Sequence, residues 1–366
     1  MKHVTRAGLG VILISALLGA TGCSPATEAN IVASDIKADE TVVFFRTAGW
    51  QDPADGAWHL PIHGWIYEPQ DSTARLAALR QILKSKFELP VGAEHEDNFS
   101  RRANLLIADN ERGKRIVIEI AGREHVLQPS VENGQFSDTL VVSAADAARY
   151  AGDGYLRYTA VTQADEDRSF EGEVRLVPAE GLSVVSDIDD TVKISNVTDR
   201  KRLMEQTFLQ DFVAAPGMAD LYGEWSARDV SFHYVSSSPW QLYSPLQEFL
   251  DGAGFPWATF SLKVVRFRDT TLFDLFKKGT ETKPPAIEAI LDRYPNRRFV
   301  LVGDSGEQDP EVYADLLRSR PEQILKACIR NVTGEDADNE RFRAVFNGIG
   351  PDRWRLFEDP TELDCF

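Results

Sequence analysis

The chain has 366 residues, 43% of them hydrophobic, and a formal charge of −17. That is enough apolar content for a packed core in one large or two medium domains. So acidic a chain is a poor partner for nucleic acid and for electrostatic docking on anionic lipids.

The first 22 residues read as an export signal rather than as part of the fold. Lys2 and Arg6 form a basic head, and the apolar stretch 7–18 is short for a bilayer span. Ala20-Thr21-Gly22-Cys23 resembles a bacterial lipobox, which implies Cys23 as the lipidated first residue of the mature chain. Residues 23–38 would then be a tether, on the periplasmic face of the envelope and at the outer membrane in a Gram-negative host. Removing Lys2 and Arg6 takes the charge from −17 to −19, so membrane attachment would come from acyl chains. Cys328 and Cys365 are the other two cysteines. In an exported protein such a pair is able to form a disulfide.

Residues 39–179 read as a β-rich domain. Strands are expected over 41–46 and 60–67, from alternating apolar positions. Leu76, Leu79, Ile82 and Leu83 recur at helical spacing, and Ser72 or Thr73 would cap a helix running to Phe87. Further strands are expected over 103–108, 115–120, 124–128, 138–143, 155–162 and 172–177, several of them separated by turn residues such as Glu132-Asn133-Gly134. Many short strands with such turns predict a β-sandwich.

Residues 180–366 alternate strands and helices. Strands are expected over 182–187, 230–236, 298–303 and 324–330, and helices over 199–213, 217–227, 239–250, 284–293 and 310–318. That alternation, with continuous apolar strands, predicts an α/β domain built on a parallel sheet covered on both faces. Ligands of such sheets gather at the carboxyl ends of the strands. Here the first strand ends in Asp187 and Asp189, and the second in Ser236-Ser237-Ser238-Pro239. The third ends in Gly303-Asp304 and runs on to Asp309, and Lys283 stands before the helix that leads to it.

Several carboxylates together are costly to bury unless a cation neutralises them. Three acids within four positions, Asp187, Asp189 and Asp190, therefore predict a metal site. Mg²⁺ takes hard oxygen ligands. Asp187 and Asp304 would each give one, and the main-chain carbonyl of Asp189 a third. A carboxylate also serves as a nucleophile, while a serine and a lysine hold phosphate oxygens. The set suits phosphoryl transfer.

The order Asp-x-Asp-x-Thr, strand-end Ser, Lys, then Gly-Asp-x-x-x-x-Asp resembles the four motifs of the haloacid dehalogenase superfamily. More narrowly, residues 186–193, 234–242 and 302–306 with Asp309-Pro310-Glu311 resemble the actin-patch-associated phosphatidate phosphatases of fungi and their bacterial relatives. The family has a His-Lys pair where this chain has Thr282-Lys283. The resemblance implies a Rossmann-like fold and a Mg²⁺-dependent phosphatidate phosphatase. Asp187 would be the nucleophile and Asp189 the general acid and base. Ser236, Ser237 and Lys283 would bind phosphate. Asp187, Asp189, Asp304 and Asp309 would serve the metal. Another lipid or soluble phosphomonoester is the alternative substrate, and a membrane-tethered binding protein without activity the alternative class.

Overall fold

The computed structural model describes residues 33–70, 72–264 and 283–365. Cys23 and the expected export signal lie outside them, as does most of the expected tether; its residues 33–38 instead pack onto the first half, where Ser34 Oγ donates to the Val117 carbonyl at 3.0 Å and Ile36 is buried. Ala33–Phe366 form one compact unit. No described helix is long and apolar enough to cross a membrane.

The first half contains β1 (Thr41–Phe44), β2 (Thr47–Gln51), β3 (Trp58–Glu68), β4 (Asp109–Asn110), β5 (Val117–Ile120), β6 (Arg123–Val126), β7 (Gln135–Val142), β8 (Tyr155–Ala160) and β9 (Glu171–Leu176). Three helices interrupt them: α1 (Thr73–Phe87), α2 (Glu96–Ile107) and α3 (Ala144–Tyr150). The strands form one sheet in the order β1-β3-β2-β9-β8-β5-β6, with β4 and β7 also pairing β3. Val42, Phe44, Leu60 and Ile62 from one part of it share a core with Ile118, Leu156, Tyr158 and Val174 from the other. The packing is that of a sandwich, but β2 belongs to both layers and joins them.

Residues 103–108, expected as a strand, fall largely within α2. Phe99, Ala103 and Leu106 recur at helical spacing and face α1 and the later helix α4 (Arg200–Phe208) in one cluster. The short run Leu105-Leu106-Ile107 imitates a strand only when read without what precedes it. Arg102 lies on the same buried side. Its guanidinium donates to the carbonyls of Thr207 at 3.0 Å and Gln210 at 2.7 Å and lies 3.8 Å over the Phe212 ring. Those carbonyls lie at the end of α4, where a helix leaves acceptors unsatisfied, so Arg102 ties α2 to α4.

The second half is a six-stranded parallel sheet. Its strands are β10 (Gly181–Ser186), β11 (Ser231–Pro239), β12 (Ala258–Lys263), β13 (Arg297–Asp304), β14 (Ile324–Arg330) and β15 (Trp354–Phe357), in the order β12-β11-β10-β13-β14-β15. The helices around it are α4, then α5 (Met218–Ser226), α6 (Tyr243–Gly252), α7 (Lys283–Arg293), α8 (Asp309–Ser319) and α9 (Glu340–Val345). The edge strands β12 and β15 escape the sequence reading because they are partly exposed and lack a continuous apolar run. Only β10, β11, β13 and β14 carry the continuous apolar runs of strands buried on both faces.

Four residues join β9 to β10, and buried Arg297 fixes the join. It donates to the carbonyls of Pro178 at 2.9 Å and Glu180 at 2.6 Å, and to Ser183 Oγ at 2.9 Å. The halves also share apolar cores. Phe45, at the end of β1, stacks on Trp240 with centroids 4.4 Å apart and meets Tyr243 edge-on at 4.7 Å. Next to it the Arg46 N–H donates to Tyr243 Oη at 2.9 Å, and the Arg46 guanidinium grips Asp251 with contacts of 2.7 and 3.0 Å.

Cys328 and Cys365 are free thiols, both buried, with sulfurs 2.9 Å apart. Exposure to oxidised glutathione should close this pair into a disulfide. Intact mass then falls by two hydrogens, and denatured protein loses both titratable thiols; two thiols surviving oxidation would show that the pair is sealed from oxidants. Phe45→Ala should destabilise the whole of Ala33–Phe366 by about 3–5 kcal/mol in denaturant unfolding. A separate early transition of the first half alone would show that the two halves are energetically independent.

Candidate active site

The strand ends converge at the carboxyl edge of the parallel sheet. β10 delivers Asp187 just past Ser186. The chain then turns back sharply, and Val192 and Lys193 both donate N–H groups to the Ile188 carbonyl. Asp190 sits at the turn with a left-handed φ of 56°. Its carboxylate offsets that strain by accepting from the N–H groups of Ser195 at 2.7 Å, Asn196 at 2.9 Å and Val197 at 2.6 Å. Asp190 therefore builds the loop and leaves Asp187 and Asp189 to face the site.

Asp187 is 1% exposed, and Asp304 and Asp309 are fully buried beside it. One carboxylate oxygen from each lies within 4.8 Å of the other two. Asp304 Oδ1 accepts from the N–H groups of Gly306 at 2.6 Å and Glu307 at 3.1 Å, which leaves Oδ2 buried without a partner. Asp309 stands at the start of α8 and accepts the Asp304 N–H at 3.2 Å. Gly303 makes that approach possible, because a Cβ there would lie 2.3 Å from Asp309 Oδ2.

Lys283 begins α7 and is 3% exposed. Its Nζ lies 2.9 Å from Asp187, 2.6 Å from Asp309 and 2.8 Å from Glu307. Glu307 is a member of the site that the sequence reading passed over. Its place in the Asp304–Asp309 loop was the available signal. One ammonium cannot neutralise so many acids. Burial raises the Asp187 carboxyl well above the usual range, and Asp309, Glu307 and Asp189 add to the shift against the opposing pull of Lys283. Burial likewise raises Asp304, reinforced by Asp309 and Asp187. Burial disfavours the Lys283 cation, but its acid neighbours outweigh this and raise its pKa. A divalent cation fits this donor set: hard oxygens, excess negative charge and a bare buried oxygen on Asp304.

Asp189 is held apart from that cluster. Its carboxylate pairs with Lys193 Nζ at 2.7 Å and accepts from Ser195 Oγ at 2.6 Å, Ser238 Oγ at 3.0 Å and Ser236 Oγ at 3.3 Å. Burial alone would raise its pKa. The Lys193 ion pair and the hydroxyls overcome that and pull it down to about 2. Its carboxylate thus faces Lys193 rather than the Asp187–Asp304–Asp309 group, which leaves its main-chain carbonyl as the metal ligand expected from it.

β11 carries the serines past the sheet edge. Ser236 Oγ also accepts the Ser238 N–H at 3.0 Å, and Ser237 Oγ is buried without a partner. Lys193, Ser195 and Ser238 hold Asp189 but were not assigned roles from the sequence. Lys193 lies within the quoted motif, four residues after Asp189, but its contact depends on a turn that no periodicity describes.

A parallel sheet with the four motifs gathered at one edge defines a haloacid dehalogenase-like α/β fold. Residues 182–331 match the family model for the catalytic domain of phosphatidate phosphatase APP1. Phosphatidate phosphatase APP1 of Saccharomyces cerevisiae is 33% identical over 164 residues, covering 43% of this chain and 27% of that protein. An uncharacterised protein of Schizosaccharomyces pombe is 27% identical over 268 residues, covering 71% of this chain and 40% of its own length. The chain thus spans well under half the length of either relative. Among solved structures, a D,D-heptose 1.7-bisphosphate phosphatase from B. bronchiseptica, complexed with magnesium and phosphate, covers 49% of this chain and 94% of its own at 15% identity and a TM-score of 0.27.

Adding Mg²⁺ should raise the melting temperature, and a chelator should reverse the gain. Asp187 and Asp304 have raised folded-state pKa values, so between their unfolded and folded values the folded chain binds more protons. Stability of the metal-free chain therefore falls as pH rises through that window. The gain from Mg²⁺ should grow in the same direction, because the cation competes with those protons. Equal melting with and without Mg²⁺ across the pH range would remove the metal assignment.

Proposed function

We propose that this chain is a Mg²⁺-dependent phosphatidate phosphatase, which hydrolyses phosphatidate to diacylglycerol and phosphate. The observation that carries the reading is the buried group of Asp187, Asp304, Asp309 and Lys283, with Asp189 alongside. The similarity of residues 182–331 to the catalytic domain of a phosphatidate phosphatase supports the choice of substrate.

Asp304 and Asp309, with one oxygen of Asp187, would hold the cation. Bound there, Mg²⁺ supplies positive charge that keeps the acids ionised and screens the phosphate oxygens. The other Asp187 oxygen attacks phosphorus. The bond from phosphorus to the glycerol oxygen breaks, and an aspartyl-phosphate forms on Asp187. Lys283, already 2.9 Å from Asp187, remains beside the transferred group and offsets its charge. Ser236 and Ser237 donate hydroxyls to its oxygens.

Asp189 gives its proton to the departing alkoxide. It then takes one from the water that attacks the same phosphorus, which releases phosphate and restores Asp187. An arriving phosphate dianion places like charge beside Asp189 and raises its proton affinity from the low value of the empty site. The export signal and the acyl anchor at Cys23 would keep the enzyme at a bilayer, which raises the effective concentration of a lipid substrate.

Purified protein with Mg²⁺ and phosphatidate in mixed micelles should form diacylglycerol and phosphate in equal amounts. Asp187→Asn should abolish both, and Lys283→Met should lower the rate by two or more orders of magnitude, on the order of what removing one charge-stabilising donor costs. Phosphate release from soluble esters far faster than from phosphatidate would move the substrate to another phosphomonoester. Release by neither route above the Asp187→Asn control would leave a membrane-tethered binding protein.

A further inference from the structure

The formal charge of the chain conceals an uneven distribution. α1 and α4 pack side by side through Leu79, Leu83, Met204 and Phe208. Together they carry Arg75, Arg80, Lys84, Lys86, Arg200, Lys201 and Arg202 against one acid, Glu205. In a chain with 57 acidic and 40 basic residues, this is a local reversal of sign. Arg80 pairs with Glu96 at 2.6 Å, and Arg75 donates to the Ile107 carbonyl at 3.4 Å.

The other five, Lys84, Lys86, Arg200, Lys201 and Arg202, are exposed. The acids beside them bind loosely, with Lys201 3.8 Å from Glu88 and Arg202 3.7 Å from Asp199. Ion pairs this open to water contribute little and exchange readily for another anion.

The position of these cations matters as much as their sign. The Val197 N–H donates to Asp190 at 2.6 Å. A Cβ on Gly306, two residues past Asp304, would meet Val197 Cγ2 at 2.9 Å and Thr198 Cγ2 at 3.0 Å. Arg200 follows two residues later, so the basic face begins at the rim of the catalytic cleft.

We propose that the α1–α4 face docks on an anionic phospholipid bilayer and turns the catalytic cleft toward it. The benefit to catalysis rests on the phosphatidate reading, but the binding itself requires no activity. A bilayer fits better than a single ligand, because the five cations are spread over the ends of two helices and not gathered in a pocket. It fits better than an extended polyanion such as RNA, because a flat surface touches this face alone and avoids the acidic remainder of the chain.

The test uses residues 33–366, the compact unit that contains both sheets and all the cores described above. They are co-sedimented with vesicles of phosphatidylcholine alone or with phosphatidylserine added. Binding should require phosphatidylserine and weaken with salt. A double variant, Lys201→Glu with Arg202→Glu, should lower affinity by roughly 30-fold or more, since each cation at an anionic surface is worth about fivefold. These acids enter the first turn of α4, where the helix dipole favours them, so folding should survive and a thermal melt verifies it. A second double variant on α1, Lys84→Glu with Lys86→Glu, should also weaken binding. Hydrolysis of soluble p-nitrophenyl phosphate should be unchanged in both.

Equal binding to neutral vesicles, or binding that neither variant alters, overturns the proposal. So does binding to RNA without binding to vesicles. A parent chain that hydrolyses no phosphate ester but still shows the charge-dependent vesicle binding would end the phosphatase reading and leave the docking surface standing.

Discussion

The contact on which the catalytic edge depends is a single buried ammonium set among carboxylates. Lys283 reaches Asp187, Asp309 and Glu307 at once, from the first residue of α7. Removing one partner of such a group leaves the remainder as uncompensated buried charge. The rest of the edge can be understood from this constraint. Asp304 is steadied by main-chain N–H groups, Gly303 lets Asp309 come close, and a cation is wanted because one lysine is too little. Arg341 holds the same loop from outside, donating to the Glu307 carbonyl at 2.7 Å and pairing with Glu311 at 2.9 Å.

Asp189 escapes the crowding because Lys193 is reserved for it. The two acids of the first motif lie two residues apart yet shift in opposite directions, Asp187 upward and Asp189 down to about 2. Divergent environments of this kind allow two neighbouring acids to take different tasks. The separation is structural in origin: the turn stabilised by Asp190 sends Asp187 toward Lys283 and Asp189 toward Lys193.

Much of the parallel sheet was legible because strands buried on both faces are continuous apolar runs that end at chemistry-bearing residues. Residues 324–330 coincide with β14, and the carboxyl ends of β11 and β13 with the loops after β10 and β13 bear the serines and acids expected there. Short-range patterns failed where tertiary contact decides the outcome. α2 is helical because Phe99, Ala103 and Leu106 meet α4 across about a hundred residues of sequence, and because Arg102 caps that helix. Lys193 and Glu307 are likewise defined by their partners in space. Net charge misled in the same way, since a sum over the chain says nothing of a basic face confined to two helices.

The Phe45–Trp240 stack lies just past Ser236–Ser238, so a side chain from the first half packs beside the end of β11. This bears on how such a chain is inherited. Similarity to the Schizosaccharomyces pombe protein runs over 268 residues, more than residues 180–366 contain, so part of the first half is matched as well. Cutting the gene between β9 and β10 would strip the parallel sheet of the Phe45 ring and disturb the Pro178 and Glu180 carbonyls that Arg297 binds. The two halves are therefore expected to move between genomes as a single unit of recombination, with sequence drift at Phe45 and Trp240 correlated rather than independent.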